Sequence, residues 1–136
     1  MIISAKKYTT MSININEACD RTSPAYTAYA PDQSIVMKIA PLLVNKTITM
    51  VIGTWCSDSK KHVPSFYKIL DQAKFPDQSI KLIQVDAEKK AIDDRIDNLE
   101  IKSVPTFIIF EGKVEIGRIV EQPTITLEQD LLNLFS

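Results

Sequence analysis

The run from Thr47 to Ile52 is β-branched or apolar at every position, and the chain leaves it through Gly53-Thr54 into Trp55-Cys56-Ser57-Asp58-Ser59. A short run without polar alternation reads as a buried central strand. Residues Ser59 to Ala73 then read as a helix. Val63, Phe66, Tyr67 and Leu70 recur at helical spacing on one apolar face. Pro64 lies inside that pattern and should kink it, because its ring clashes with the preceding turn and it has no N–H to donate. The centre of the chain is therefore a buried strand feeding directly into an amphipathic helix, with a cysteine at the junction.

The flanking segments extend this pattern. Met11 to Asn16 alternates weakly, as an edge strand does. Ser23-Pro24 has the form of a helix start, and a short helix carrying Tyr26 and Tyr29 would end near Ala30-Pro31. Asp32 or Ser34 would cap a second helix containing Ile35, Val36, Ile39, Leu42 and Leu43, bent or stopped at Pro41. Ile80 to Val85 reads as a strand, and Glu88 to Leu99 as a helix with a charged outer face. Val104-Pro105 precedes a strand at Thr106 to Phe110. Glu111-Gly112-Lys113 is a hairpin turn, and Val114 to Val120 is its antiparallel partner. Thr126-Leu-Glu-Gln129 has the form of a capping box. It opens a last helix with a core face of Leu127, Leu131, Leu134 and Phe135. Parallel strands need helical crossovers and a hairpin is antiparallel. The order thus predicts an α/β fold with a mixed sheet, helices on both faces, and a C-terminal β-hairpin plus helix.

Size and charge narrow the function. A chain of 136 residues suits one domain spanning 1–136, with residues 1–31 as an N-terminal extension whose pattern is weak. A net charge of −1 gives no basic patch for nucleic acid or an anionic membrane. No apolar run is long enough to span a bilayer, and Lys6-Lys7 is followed by no apolar core of a signal peptide, so the expected location is cytoplasmic. Cys19 and Cys56 are too few for a disulfide scaffold, and with His62 as the one histidine no metal site is expected. No cofactor is expected either.

Trp55-Cys56-Ser57-Asp58-Ser59, Pro64 within the helix, Ser103-Val104-Pro105-Thr106 before a strand and Phe110-Glu-Gly-Lys113 together resemble the thioredoxin superfamily. The resemblance runs from about Ser34 to the C-terminus and implies a thioredoxin-like fold. It also implies a cis bond before Pro105 facing the active cysteine, and a peptide groove formed by the backbone at Val104. Trp55 would shield the thiol, and Asp58 would lie beside the substrate. The sequence departs from the family pattern at linked positions. Ser59 stands where the second cysteine of Cys-Xaa-Xaa-Cys is expected. Met50 stands where the family has a buried aspartate, and Leu82 where a lysine on the neighbouring strand often pairs with it. That aspartate serves the second cysteine, so the absences form one functional change. Glu121 occupies a position where a glycine is usual and lets substrates approach.

The chemistry left is that of a single thiol. Unpaired N–H groups and the helix dipole favour a thiolate at a helix start, and the Ser59 hydroxyl would donate to it. Asp58 opposes the second anion. The Cys56 pKa is expected below the free-thiol value of about 8.5. Its thiolate would form mixed disulfides with protein or peptide disulfides, and Ser59 cannot resolve them. Release would fall to glutathione, another small thiol, a partner cysteine or Cys19. Ordinary dithiol reductase activity is not expected. Two further readings stay open: a non-catalytic peptide-binding module that kept the fold, and a peroxide-sensing cysteine. His62, six residues beyond Cys56, is expected to be exposed and not a base.

Overall fold

The structure is a computed structural model that describes residues 9–12, 22–53, 57–86, 101 and 103–135. Its strands are β1 (Thr9–Ser12), β2 (Thr47–Gly53), β3 (Ile80–Asp86), β4 (Thr106–Glu111) and β5 (Val114–Val120). Its α-helices are α1 (Pro24–Thr27), α2 (Gln33–Leu42), α3 (Ser57–Gln72) and α4 (Leu127–Asn133), with a 3-10 turn at Asp77–Ser79. The strands form one mixed sheet in the order β1-β3-β2-β4-β5. The β2–β3 pair is parallel; β1–β3, β2–β4 and β4–β5 are antiparallel.

The pattern of side chains decides which sheet face carries the main core. Ile48, Met50 and Ile52 of β2 lie on the same face as Leu82, Phe107, Ile109 and Ile119, and all belong to one buried cluster. Val36 and Ile39 of α2, Phe66 and Leu70 of α3, and Leu127 and Leu131 of α4 pack into it. Phe66 stacks on Phe107 with ring centroids 4.3 Å apart, fastening α3 to β4. On the other face Val51, Ile83 and Ile108 are fully buried as well. Both faces of β2 are therefore covered, as its unalternating composition requires. The helix expected over 88–99 lies outside the described residues.

Local chemistry sets the element ends. The Asp32 carboxylate caps α2, accepting from Ser34 N–H at 2.9 Å. The helix stops one residue after Pro41, which has no N–H to carry it further. Ser23 precedes Pro24 at the first turn of α1 but makes no side-chain cap, and its buried hydroxyl has no hydrogen-bond partner among the described residues. This helix is shorter than the sequence suggests and leaves Tyr29 beyond it. α3 begins at Ser57, two residues earlier than expected, since Ser57 and Asp58 suit a first turn. It closes on Lys74 at φ +60, with the Phe75 N–H donating to Leu70 O at 2.9 Å. Thr126 Oγ1 accepts from Gln129 N–H at 3.1 Å, but the Gln129 amide donates to Asn133 and not back to the cap. Half of the expected capping box is formed. The edge strand begins at Thr9, ahead of the expected Met11, and residues 13–16 lie outside the described residues.

Candidate active site

The register brings three chain segments to one end of the sheet. Val51 pairs with Thr106 and Thr106 with Val120. The exit of β2 at Gly53, the entry to β4 at Pro105 and the exit of β5 at Glu121 are thus neighbours at that end. Residues 54–56 join Gly53 to the first residue of α3, so the N-terminal turn of α3 opens there too.

Each expected site residue can be located against this frame. Trp55 and Cys56 lie outside the described residues; in sequence Cys56 immediately precedes the start of α3. Asp58 and Ser59 are backbone members of the first turn of α3. The Val104–Pro105 bond is cis, and Val104 is fully buried. Ser103 O accepts from the Thr106 hydroxyl at 2.6 Å, both residues being buried, so the turn into β4 is held from within. Pro105 O accepts from the Glu121 N–H at 2.7 Å, which ties the two loops together.

Beneath these loops the sheet is apolar. Met50 is the register partner of Leu82 on one side and of Phe107 on the other, and Phe107 pairs with Ile119. Met50 is 0% exposed. No buried carboxylate or ammonium stands in this row across four strands, where an aspartate–lysine pair would have met.

Three findings were not read from the sequence. His62 is buried, at 8% exposure, against the expectation that it is exposed. Its place on α3 explains this: 62, 66 and 69 share one stripe at 3.6 residues per turn. Phe66 and Ile69 are both fully buried. Helix α1 covers the outer side of α3, with Ser65 Oγ donating to Ala25 O, Lys68 Nζ to Thr27 O and Tyr26 OH to Asp71. Glu128, 4% exposed, accepts from the Tyr29 hydroxyl and from Asp32 N–H at 2.7 Å, joining α4 to the entry of α2. Burial, then the hydrogen bond to Glu128, push the Tyr29 phenol well above its ordinary value. A sequence signal existed only for Glu128, which shares an arc of α4 with Leu127 and Leu131. Third, Glu121 holds φ +65, the left-handed region that glycine adopts freely. The substitution noted in the sequence thus falls where the backbone itself favours glycine.

The sheet order, the cis-proline turn and the junction from β2 into α3 agree with the sequence comparison. The thioredoxin family pattern matches residues 42–132, more than half of the chain. The chain belongs to the thioredoxin family. A thioredoxin-like protein of Acanthamoeba polyphaga mimivirus is 28% identical over 79 residues, 58% of this chain and 55% of that relative. The matched segment thus spans about half the length of the relative. Among the described residues no helix is long and apolar enough to cross a membrane, and no three His, Cys, Asp or Glu side chains gather as metal ligands would.

Proposed function

We infer that this thioredoxin-family chain performs thiol–disulfide exchange through Cys56 alone, with an external thiol completing each cycle. The observation that carries the reading is the apolar row Leu82–Met50–Phe107 under a thioredoxin-type end with a cis-proline turn. The scaffold of the family is present, and the buried base that serves a second thiol is absent together with that thiol, replaced by Ser59.

In the first step the Cys56 thiolate attacks one sulfur of a substrate disulfide. Its S–S bond breaks, a Cys56–substrate disulfide forms, and the electron pair leaves on the other sulfur, which takes a proton from water. The helix dipole of α3 favours the attacking thiolate. The substrate lies along the backbone at Val104 and Pro105. In the second step an external thiolate such as that of glutathione attacks the substrate-derived sulfur of the mixed disulfide, forming a new disulfide with it as the old S–S bond breaks and Cys56 leaves as thiolate. Serine cannot take this role, because its alcohol is a poor nucleophile and leaving group toward sulfur.

The test is reduction of a glutathione–peptide mixed disulfide with glutathione as donor. Turnover should be present in the native chain and lost in Cys56→Ser. Equal rates for the two proteins would contradict the reading. The same Met50 row favours a second reading, a peptide-binding module without turnover. For that module, Cys56 should alkylate at neutral pH no faster than a free thiol. A peroxide-sensing Cys56 would instead be labelled by dimedone after mild peroxide.

A further inference from the structure

We propose that Thr106 is a positioning residue for exchange with polypeptide disulfides, its hydroxyl holding the turn from Ser103 to Thr106 in the shape against which an extended chain aligns. This rests on the exchange reading above and adds to it a group that separates polypeptide from small-molecule disulfides.

A four-residue turn is often closed by a bond from the N–H of the fourth residue to the carbonyl of the first. Here the side chain of the fourth residue supplies a donor: the Thr106 hydroxyl donates to Ser103 O at 2.6 Å. Both residues are buried, and a buried carbonyl that loses its donor is costly to leave unpaired. A turn deprived of this bond therefore spends part of its time in other shapes.

Thr106 can serve as the anchor because its own backbone is fixed. It is the first residue of β4 and pairs with Val51 of β2 on one side and with Val120 of β5 on the other. Beside it, Pro105 O accepts from Glu121 N–H at 2.7 Å. The Ser103 carbonyl is thus tied to a residue that two strands hold. Valine has nearly the shape of threonine and lacks the donor, so Thr106→Val removes the bond with little change in volume.

A polypeptide disulfide that adds to the turn as an extended strand depends on the shape of the turn. A small disulfide with no peptide backbone does not. When only a fraction of the molecules hold the competent turn, the apparent affinity for the polypeptide falls by that fraction. The step at sulfur is the same for both: the Cys56 thiolate attacks one sulfur, the S–S bond breaks, and the other sulfur leaves as thiolate.

The test uses the full chain and two disulfides, the symmetric disulfide of a single-cysteine peptide and 2-hydroxyethyl disulfide. Adduct formation at Cys56 is followed by intact mass and peptide mapping, and the readout is the ratio of the peptide rate to the small-disulfide rate. In Thr106→Val this ratio should fall about threefold to tenfold, the net worth of one hydrogen bond. Alkylation of Cys56 by iodoacetamide should be unchanged. Thr106→Ser returns the hydroxyl and should keep the ratio within about twofold of the native value. Thr106→Ala should fall as the valine variant does, so the comparison with Thr106→Ser stands even if Thr106→Val fails to fold. A ratio unchanged in Thr106→Val and Thr106→Ala while Cys56 still forms adducts, or one that falls as far in Thr106→Ser, overturns the positioning role and leaves the exchange reading standing. Absence of Cys56 adducts in the native chain with both disulfides overturns both.

Discussion

Three residues, Glu128, Tyr29 and Asp32, carry the residue-scale predictions. Glu128 is nearly buried and is the acceptor for Tyr29 OH and Asp32 N–H. Replacing it with alanine strands two donors, and a buried unsatisfied polar group costs about 1–3 kcal/mol. Glu128→Ala should therefore lower the unfolding free energy by about 2–4 kcal/mol in urea titrations. Tyr29 adds a pH dependence of definite sign. Its pKa is raised in the fold, chiefly by burial, so the folded chain keeps a proton that the unfolded chain gives up above about 10. The contribution is fully present below that pH and is lost as pH rises toward the folded value. Tyr29→Phe should flatten the alkaline branch of stability between about pH 10 and 11.5 relative to the native chain. Asp32 has the opposite sign. Hydrogen bonding from Ser34 lowers its carboxyl pKa, so capping of α2 is present above the ordinary carboxylate value and fades as pH falls through the folded one. The Asp32 cap was legible in the sequence and the arc of Glu128 gave a signal, but the Tyr29–Glu128 pair joins residues far apart in the chain and gave none.

Elements were more legible, for reasons that differ among them. β2, β4 and β5 could be read almost to their ends, since apolar β-branched runs bounded by Gly53, Pro105 and Gly112 leave few alternatives. α3 is legible from its stripe, whereas the burial of His62 follows from its place on the Phe66–Ile69 side of the helix, which its distance from Cys56 does not reveal. The covering helix α1 is shorter than its sequence suggests, and its four residues are held by Ser65, Lys68 and Asp71 of α3. The pairing of Met50 with Leu82 was anticipated by alignment with the family and is met in the register. That pairing makes an element-scale prediction. Met50→Asp would put a carboxylate at a fully buried position between Leu82 and Phe107, which should cost about 3 kcal/mol or more. Adding Leu82→Lys should recover part of the loss, measured as a coupling energy of at least about 1 kcal/mol in a double-mutant cycle. Additive losses would show that the two positions do not meet. At the other side of the sheet, a Cβ on Gly117 would stand 2.8 Å from Leu134 Cδ2. Gly117→Ala should therefore shift the end of α4 and cost about 1 kcal/mol, read by thermal unfolding.

For the whole molecule, the parts divide the work. The core built by α2, α3 and α4 on one face of the sheet fixes the ends of β2, β4 and β5, and those ends bring Gly53, Pro105 and Glu121 to one side. On the proposed reading Cys56 attacks as a thiolate, and Ser59 offers no internal thiol at position 59 to release it. Ser59→Cys should then convert the chain toward a dithiol reductase, with insulin reduction by dithiothreitol rising above that of the native protein. Without the buried aspartate the gain should be partial, and Met50→Asp should not be needed for it to appear. The most direct test of the central claim, a reactive single thiol at the start of α3, is the pH dependence of Cys56 alkylation by iodoacetamide. The account predicts an inflection below the free-thiol value of about 8.5 and a faster rate at neutral pH than that of a free model thiol of ordinary pKa. An inflection at or above about 8.5, with no acceleration at neutral pH, would contradict it.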